Sequence, residues 1–216
     1  VSELHKELVQ RTIKTNLIIG VIKSGSSRSE PTLDKVSPEE CLRLTYVGRV
    51  DSKRGVEKIF RLSEDLSYFD IDHEISVAGE GDFAERFDYL AKNHNHISFL
   101  GKIDHIDSMK LQSKKHVGIM PMPDIEIWRI ASPIKLAEYL SSGLAIVGPN
   151  HVGNCDGRDG AWNLLSDDDD WTKDCAKKLS DSIAKGNWKG RVEEKAIEAS
   201  NEINWKLISR SLQSDL

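Results

Sequence analysis

Cysteine is scarce in this chain: Cys41, Cys155 and Cys175 form an odd, scattered set with no metal-ligand spacing. Such a set argues against a disulfide-framed scaffold and fits a reducing compartment. Proline is also sparse, with 6 in 216 residues, and aromatic residues make up 6%. With 38% hydrophobic and 30% charged residues, the composition is that of a folded domain rather than a low-complexity tail. Long apolar runs are missing, since stretches such as 17–19 and 117–120 fall far short of the roughly 20 residues a bilayer span requires. An excess of positive charge is missing too. Lys and Arg number 30 against 35 Asp and Glu, which argues against an extended nucleic-acid partner while leaving room for a few local cations on one diphosphate. Residues 1–16 lack the apolar centre of a secretory leader. Together these features point to a cytoplasmic setting, with membrane association only through some other part of the protein. The missing initiator Met leads us to expect a piece cut from something longer.

What the chain does have is alternation. A helix is expected over 4–13, a strand over 17–22 and an irregular connection over 23–36. Strands are then predicted at 42–47, 74–78, 97–100, 117–120 and 144–147, separated by helices at 56–66, 83–92, 106–114 and 134–142. Short apolar strands each followed by an amphipathic helix indicate a parallel sheet covered on both faces, joined by right-handed crossovers. Beyond 165 the pattern is helical, with 171–185 followed by 192–212, broken near Asn201. The expected fold is therefore α/β, a Rossmann-like parallel sheet with a helical tail.

In an open parallel sheet, ligands meet the residues that follow the strands. The first such junction, Gly48-Arg49-Val50-Asp51-Ser52-Lys53-Arg54-Gly55, crowds cations where a helix begins. The helix dipole opposes them there unless an anion is bound; a solvated basic turn is the alternative. The second, Ala78-Gly79-Glu80-Gly81-Asp82, suits a tight turn and lacks the third glycine of a dinucleotide fingerprint. In the third, Ser132-Pro133-Ile134-Lys135-Leu136-Ala137-Glu138, Ser132 suits an N-cap and Pro133 the first helical position. Free N–H groups and Lys135 could then hold phosphate, while Glu138 one turn on could accept from vicinal hydroxyls. A capped helix carrying a Lys–Glu surface pair is the alternative. Gly143 is expected to end that helix in a left-handed conformation.

The other candidates are weaker. His94 and His96 read as a polar turn, and His105 with Asp104 and Asp107 as surface capping. The run 167–170 reads as an acidic helix start, and Cys155 and Cys175 as ordinary thiols. Trp162, Trp171, Trp188 and Trp205 read as packing residues, whereas Trp128 stands on the rim of the third junction as a candidate for substrate contact.

Taken in order, Tyr46-Val-Gly-Arg49, Arg54-Gly55, Val77-Ala-Gly-Glu-Gly81, Phe99-Leu-Gly101, Pro121, Ser132-Pro133-x-Lys135-x-x-Glu138-Tyr139-x-x-x-Gly143 and Asn204-Trp205 resemble the carboxyl-terminal, donor-binding domain of retaining, glycogen-synthase-like GT-B glycosyltransferases (glycosyltransferases group 1), over about 40–213. The resemblance implies transfer of a sugar from a nucleotide diphosphate sugar with retention of configuration, without any other cofactor. The acceptor, a glycan, lipid or small molecule, would be held by an amino-terminal half, to which 1–36 would be the bridge and 37–216 the donor-binding unit. Such a fragment would be inactive alone. The resemblance implies that Arg49 and Arg54 are catalytic, stabilising the departing diphosphate. It further implies that Gly48, Gly79, Gly101, Ile103, Ser132, Pro133, Lys135 and Glu138 bind the donor, with Glu138 on the ribose and the segment after Gly101 near the base. The last helices would cross back to the other half. Arg54 stands where the family carries lysine, and Ile130 where it carries its first acid; Glu126 is out of register. A nucleotide-sugar epimerase of the same architecture and a non-catalytic nucleotide-sugar module are the alternatives. No metal site is expected.

Overall fold

A computed structural model describes residues 3–13, 36–131 and 134–202. The helix expected near the start is present as α1 (Glu3–Ile13). The strand predicted at 17–22, the connection through 35, Ser132, Pro133 and Trp205 lie outside the described residues.

Apolar strands and amphipathic helices alternate as anticipated: β1 (Leu42–Val47), α2 (Lys58–Tyr68), β2 (His73–Ala78), α3 (Ala84–Ala91), β3 (Ile97–Phe99), α4 (His105–Ser113) and β4 (Val117–Ile119) come first. A short α5 (Glu126–Arg129), α6 (Ile134–Ser141), β5 (Ala145–Val147), a short α7 (Val152–Cys155), α8 (Trp171–Ala184) and α9 (Glu194–Asn201) complete the series. A π-helical turn over Lys189–Glu193 leads into α9. Neither α5 nor α7 was foreseen, because four residues are too few to show a helical period.

All five strands pair in parallel, in the order β3-β2-β1-β4-β5. Leu42, Leu44, Ile75, Val77, Ile119 and Ile146 are fully buried within the sheet, as expected of parallel strands covered on both faces. Chain direction across the sheet reverses between β1 and β4, because β2 and β3 extend to one side of β1 while β4 and β5 lie on the other. The strand ends diverge there and leave a crevice at the carboxyl edge, bordered by the loops after β1 and β4. The tail helices complete the covering layers, α8 packing on α2 and α9 on α6.

Two details position the crevice residues. The helix expected from 56 begins at Lys58, because Ser52–Arg54 form a 3-10 turn that ends at Gly55 in the left-handed region (φ 71°). On the other flank Tyr139 of α6 lies against Gly118, where a β-carbon would sit 2.3 Å from the tyrosine ring. Gly143 ends the helical segment with φ 74°, as anticipated.

Candidate functional site

The loop after β1 is held by the loop after β2. A β-carbon on Gly79 (φ 151°) would fall 1.7 Å from the Gly48 carbonyl oxygen, so glycine is what lets the two backbones touch. The Asp82 N–H donates to Asp51 Oδ1 at 3.1 Å, and the Ser52 N–H donates to Asp82 Oδ1 at 2.8 Å. Tyr46, its phenol pushed up to about 12 by burial, donates to the Arg49 carbonyl at 2.6 Å. These bonds turn a stretch of turn formers into a fixed platform.

Its cations share one carboxylate. Arg49 binds Asp51 in a two-pronged contact, Nε to Oδ2 at 2.9 Å and Nη2 to Oδ1 at 3.0 Å. Arg54 Nε lies 3.6 Å from the same Oδ2. The Arg49 hydrogen bond holds the Asp51 carboxyl below the usual range and raises the guanidinium in turn. The Arg54 guanidinium also lies 4.7 Å from the centroid of the Trp128 ring.

α6 supplies the opposite wall. Lys135 Nζ meets Glu138 Oε2 at 2.5 Å, and Gln112 Nε2 from α4 donates to that oxygen at 3.3 Å. The Glu138 side chain is only 7% exposed against 30% for Lys135, so the pair is not the surface pair that spacing allowed as an alternative. Tyr139 fixes the helix by accepting the Val47 N–H at 3.0 Å.

The walls converge. One cavity of about 250 Å³ is lined by Gly48, Arg49, Gly79, Ile103 and Lys135, among others. A neighbouring cavity of about 250 Å³ is lined by Tyr46, Gly48, Arg54, Met120, Ile134 and Lys135, among others. Gly48 and Lys135 border both, so cations remote in sequence flank one space. Gly101 stands one layer back, its carbonyl accepting the Gly79 N–H at 2.7 Å, and Glu138 is paired with Lys135 rather than lining either cavity. A larger hollow of about 530 Å³ beyond Gly55 mixes Lys53 and Lys58 with Asp124, Asp167, Asp168 and Asp169. Its carboxylates make it a poor host for a diphosphate.

Several contributors escaped the sequence. Asp51, read only as part of a basic loop, is the counter-ion of both arginines. Gln112 orients Glu138. Asn154, fully buried in α7, donates to the carbonyls of Met120 (3.1 Å), Met122 (3.4 Å) and Pro149 (2.9 Å), bracing the loop after β4. A fully buried asparagine carries no periodicity signal, so no local pattern could have exposed it.

The remaining candidates are mostly structural. Burial pushes up the Cys155 thiol and takes that of Cys175 to about 12. Asp104 caps α4 by accepting the Asp107 N–H at 2.7 Å. Asp170 precedes α8, but its carboxylate accepts from the Thr172 hydroxyl rather than from a backbone N–H of the first turn. Trp162, Trp171 and Trp188 are buried packing residues. His96 is no simple turn residue, because its ring stacks on His73 at 4.5 Å. Among the described residues no group of three or more His, Cys, Asp or Glu is placed to hold a metal ion, and no helix is long and apolar enough to cross a membrane.

A parallel sheet of order β3-β2-β1-β4-β5, flanked by helices and carrying cations at its reversal crevice, defines a Rossmann-like α/β domain of the kind that forms the carboxyl-terminal half of GT-B proteins. The chain belongs to the family described as glycosyl transferases group 1, whose model matches residues 41–185. Solved structures share the fold at low identity. The pneumococcal O-GlcNAc transferase GtfA, in complex with UDP and GlcNAc, is 15% identical with a TM-score of 0.71, covering 100% of this chain and 44% of that one. Sucrose-phosphate synthase from Thermosynechococcus elongatus is 16% identical with a TM-score of 0.73, covering 99% and 56%. TarM of S. aureus, in complex with UDP among other ligands, is 10% identical with a TM-score of 0.71, covering 95% and 41%. The chain thus spans about half the length of these proteins. No curated protein sequence matches it.

Proposed function

We propose that this chain is the donor-binding half of a glycosyltransferase that moves a sugar from a nucleotide diphosphate sugar to an acceptor with retention of configuration. The observation that carries the proposal is the convergence of Arg49, Arg54 and Lys135 on adjoining cavities that share Gly48 and Lys135. As the glycosyl bond breaks, charge accumulates on the departing diphosphate, and cations already in place stabilise that charge more than they stabilise the intact donor. Arg49 and Arg54 are in this reading the catalytic groups, with Lys135 and the start of α6, including Ser132 and Pro133, bordering the phosphates. Gly48 and Gly79 permit close backbone approach. Gly101 and Ile103 lead toward the base, and Glu138 accepts from the ribose hydroxyls once Lys135 turns to phosphate. UDP in two of the similar structures supports a nucleotide in this crevice.

On the same reading residues 1–36 bridge to an upstream half that holds the glycan, lipid or small-molecule acceptor, and 37–216 form the donor-binding unit, so that the isolated chain binds donor without transferring it. Calorimetry with UDP, GDP and ADP and their sugar conjugates tests the pocket. One nucleotide should bind, and Arg49→Ala and Glu138→Ala should each weaken it. Equal, weak binding of all three, indifferent to both substitutions, would overturn the assignment.

Ile130, an apolar residue at the position where the family resemblance implies an acid, favours a second reading as an epimerase or a non-catalytic module. Free epimerised sugar released by the intact protein without acceptor would select the first; donor binding without turnover would select the second.

A further inference from the structure

Trp128 has no part in that reading, yet its surroundings are more constrained than a rim residue needs. The Arg54 guanidinium lies 4.7 Å from its ring centroid, and both Arg54 Nε and Trp128 Nε1 are buried without a hydrogen-bond partner. The guanidinium is therefore held between the indole, the longer contact to Asp51 and the Tyr46 phenol, and the indole is the neighbour that covers its face. Behind it α5 is braced by α7. A β-carbon on Gly153 would sit 1.8 Å from the Trp128 carbonyl oxygen, and His151 Nε2 donates to the Met122 carbonyl at 3.1 Å. With Asn154 on the Met120 and Met122 carbonyls, α7 fixes the approach to Trp128. One indole face is occupied by the guanidinium, so that face is closed to a sugar ring.

We propose that Trp128 is a positioning residue for the diphosphate clamp: its ring, seated on α5 against α7, holds the Arg54 guanidinium beside the space that Arg54 shares with Lys135. The proposal rests on the donor-binding reading and adds a residue to it. An arginine on a surface loop loses side-chain freedom when it closes on a ligand, and stacking it beforehand reduces that loss.

The experiment is a double-mutant cycle in the full 216-residue chain, titrated by calorimetry with UDP, GDP and ADP and with inorganic pyrophosphate. Trp128→Leu should weaken the nucleotide that binds by roughly tenfold, and Trp128→Phe, which keeps an aromatic face, should recover most of that loss. In an Arg54→Ala background Trp128→Leu should add almost nothing. Additive losses would overturn the proposal, since Trp128 would then touch the ligand or support the fold generally. A ligand-free measurement runs beside it: the Arg54 side-chain protons should show a ring-current shift in the wild type and in Trp128→Phe that vanishes in Trp128→Leu. Lack of that shift in the wild type removes the proposal whatever the titrations give. A wild type with the shift that binds neither nucleotide nor pyrophosphate sinks the donor reading, and the clamp with it. Normal wild-type binding with an additive cycle sinks only the role of Trp128.

Discussion

Tyr139 accepts the Val47 N–H at 3.0 Å across 92 positions of sequence, tying the helix that carries Lys135 and Glu138 to the last residue of β1, from which the arginine loop departs. The pairing of β1 with β4 is shown at Leu44 and Thr45, so the tyrosine hydroxyl satisfies a donor beyond that register. Both walls of the crevice are thereby referred to one hydrogen bond.

Replacing Tyr139 by Phe should leave the Val47 N–H buried and unsatisfied, at a cost of about 1–3 kcal/mol. Urea denaturation at neutral pH checks the loss, and calorimetry should show weaker nucleotide binding as the two walls lose their common reference. Unchanged stability would mean that water replaces the hydroxyl.

Asn154→Ala strands the Met120 and Pro149 carbonyls, while that of Met122 keeps His151 as its donor, and should destabilise the chain by about 1–3 kcal/mol, since stranded buried acceptors retain their desolvation penalty. Chemical denaturation measures this. Nucleotide affinity should fall as well, because the loop after β4 loses its brace.

The Asp51 carboxyl is held below its ordinary range, first by the Arg49 hydrogen bond. A depressed carboxylate stabilises the fold above its unfolded value, about 3.9, and that contribution disappears as pH falls through the lower folded value. The stability gap between wild type and Asp51→Asn should therefore narrow below about pH 4. Thermal melts of both proteins across that range provide the measurement, and a gap independent of pH would show that the ion pair adds nothing, as exposure of the Arg49 side chain could allow.

Histidines at the amino edge of the sheet should make stability sensitive to mild acid. His73 donates from Nδ1 to the Ile71 carbonyl at 2.8 Å, so its Nε2 accepts from the Ser63 hydroxyl at 2.7 Å. Burial lowers the values of His73 and His94, His96 adding to both, while Asp72 and Glu64 act in the opposite sense. Folded values below the unfolded one mean that the unfolded chain takes up protons first as pH falls through about 6.5. The urea midpoint should drop across that range, and His94→Asn should flatten the drop.

In the proposed reading Arg49, Arg54 and Lys135 meet the phosphate charge, so nucleotide affinity should be unchanged by full chelation of divalent ions. Binding measured with excess chelator and with added magnesium decides the point. Binding lost on chelation and restored only by a divalent ion would reject metal independence.

The sequence alone determined the alternation of short apolar strands with amphipathic helices, the bounds of β1, the left-handed stop at Gly143 and which cations stand at the strand ends. Such features are encoded within a few neighbouring residues, through hydrophobic period and turn chemistry. Sharing of Asp51 by two arginines, the seat of Arg54 on Trp128, the burial of Glu138 under Gln112 and the brace from Asn154 were decided only by the tertiary structure. Each is set by strand order and loop closure, which bring distant segments together at the crevice between β1 and β4, and a local pattern carries no information about which segments will meet there.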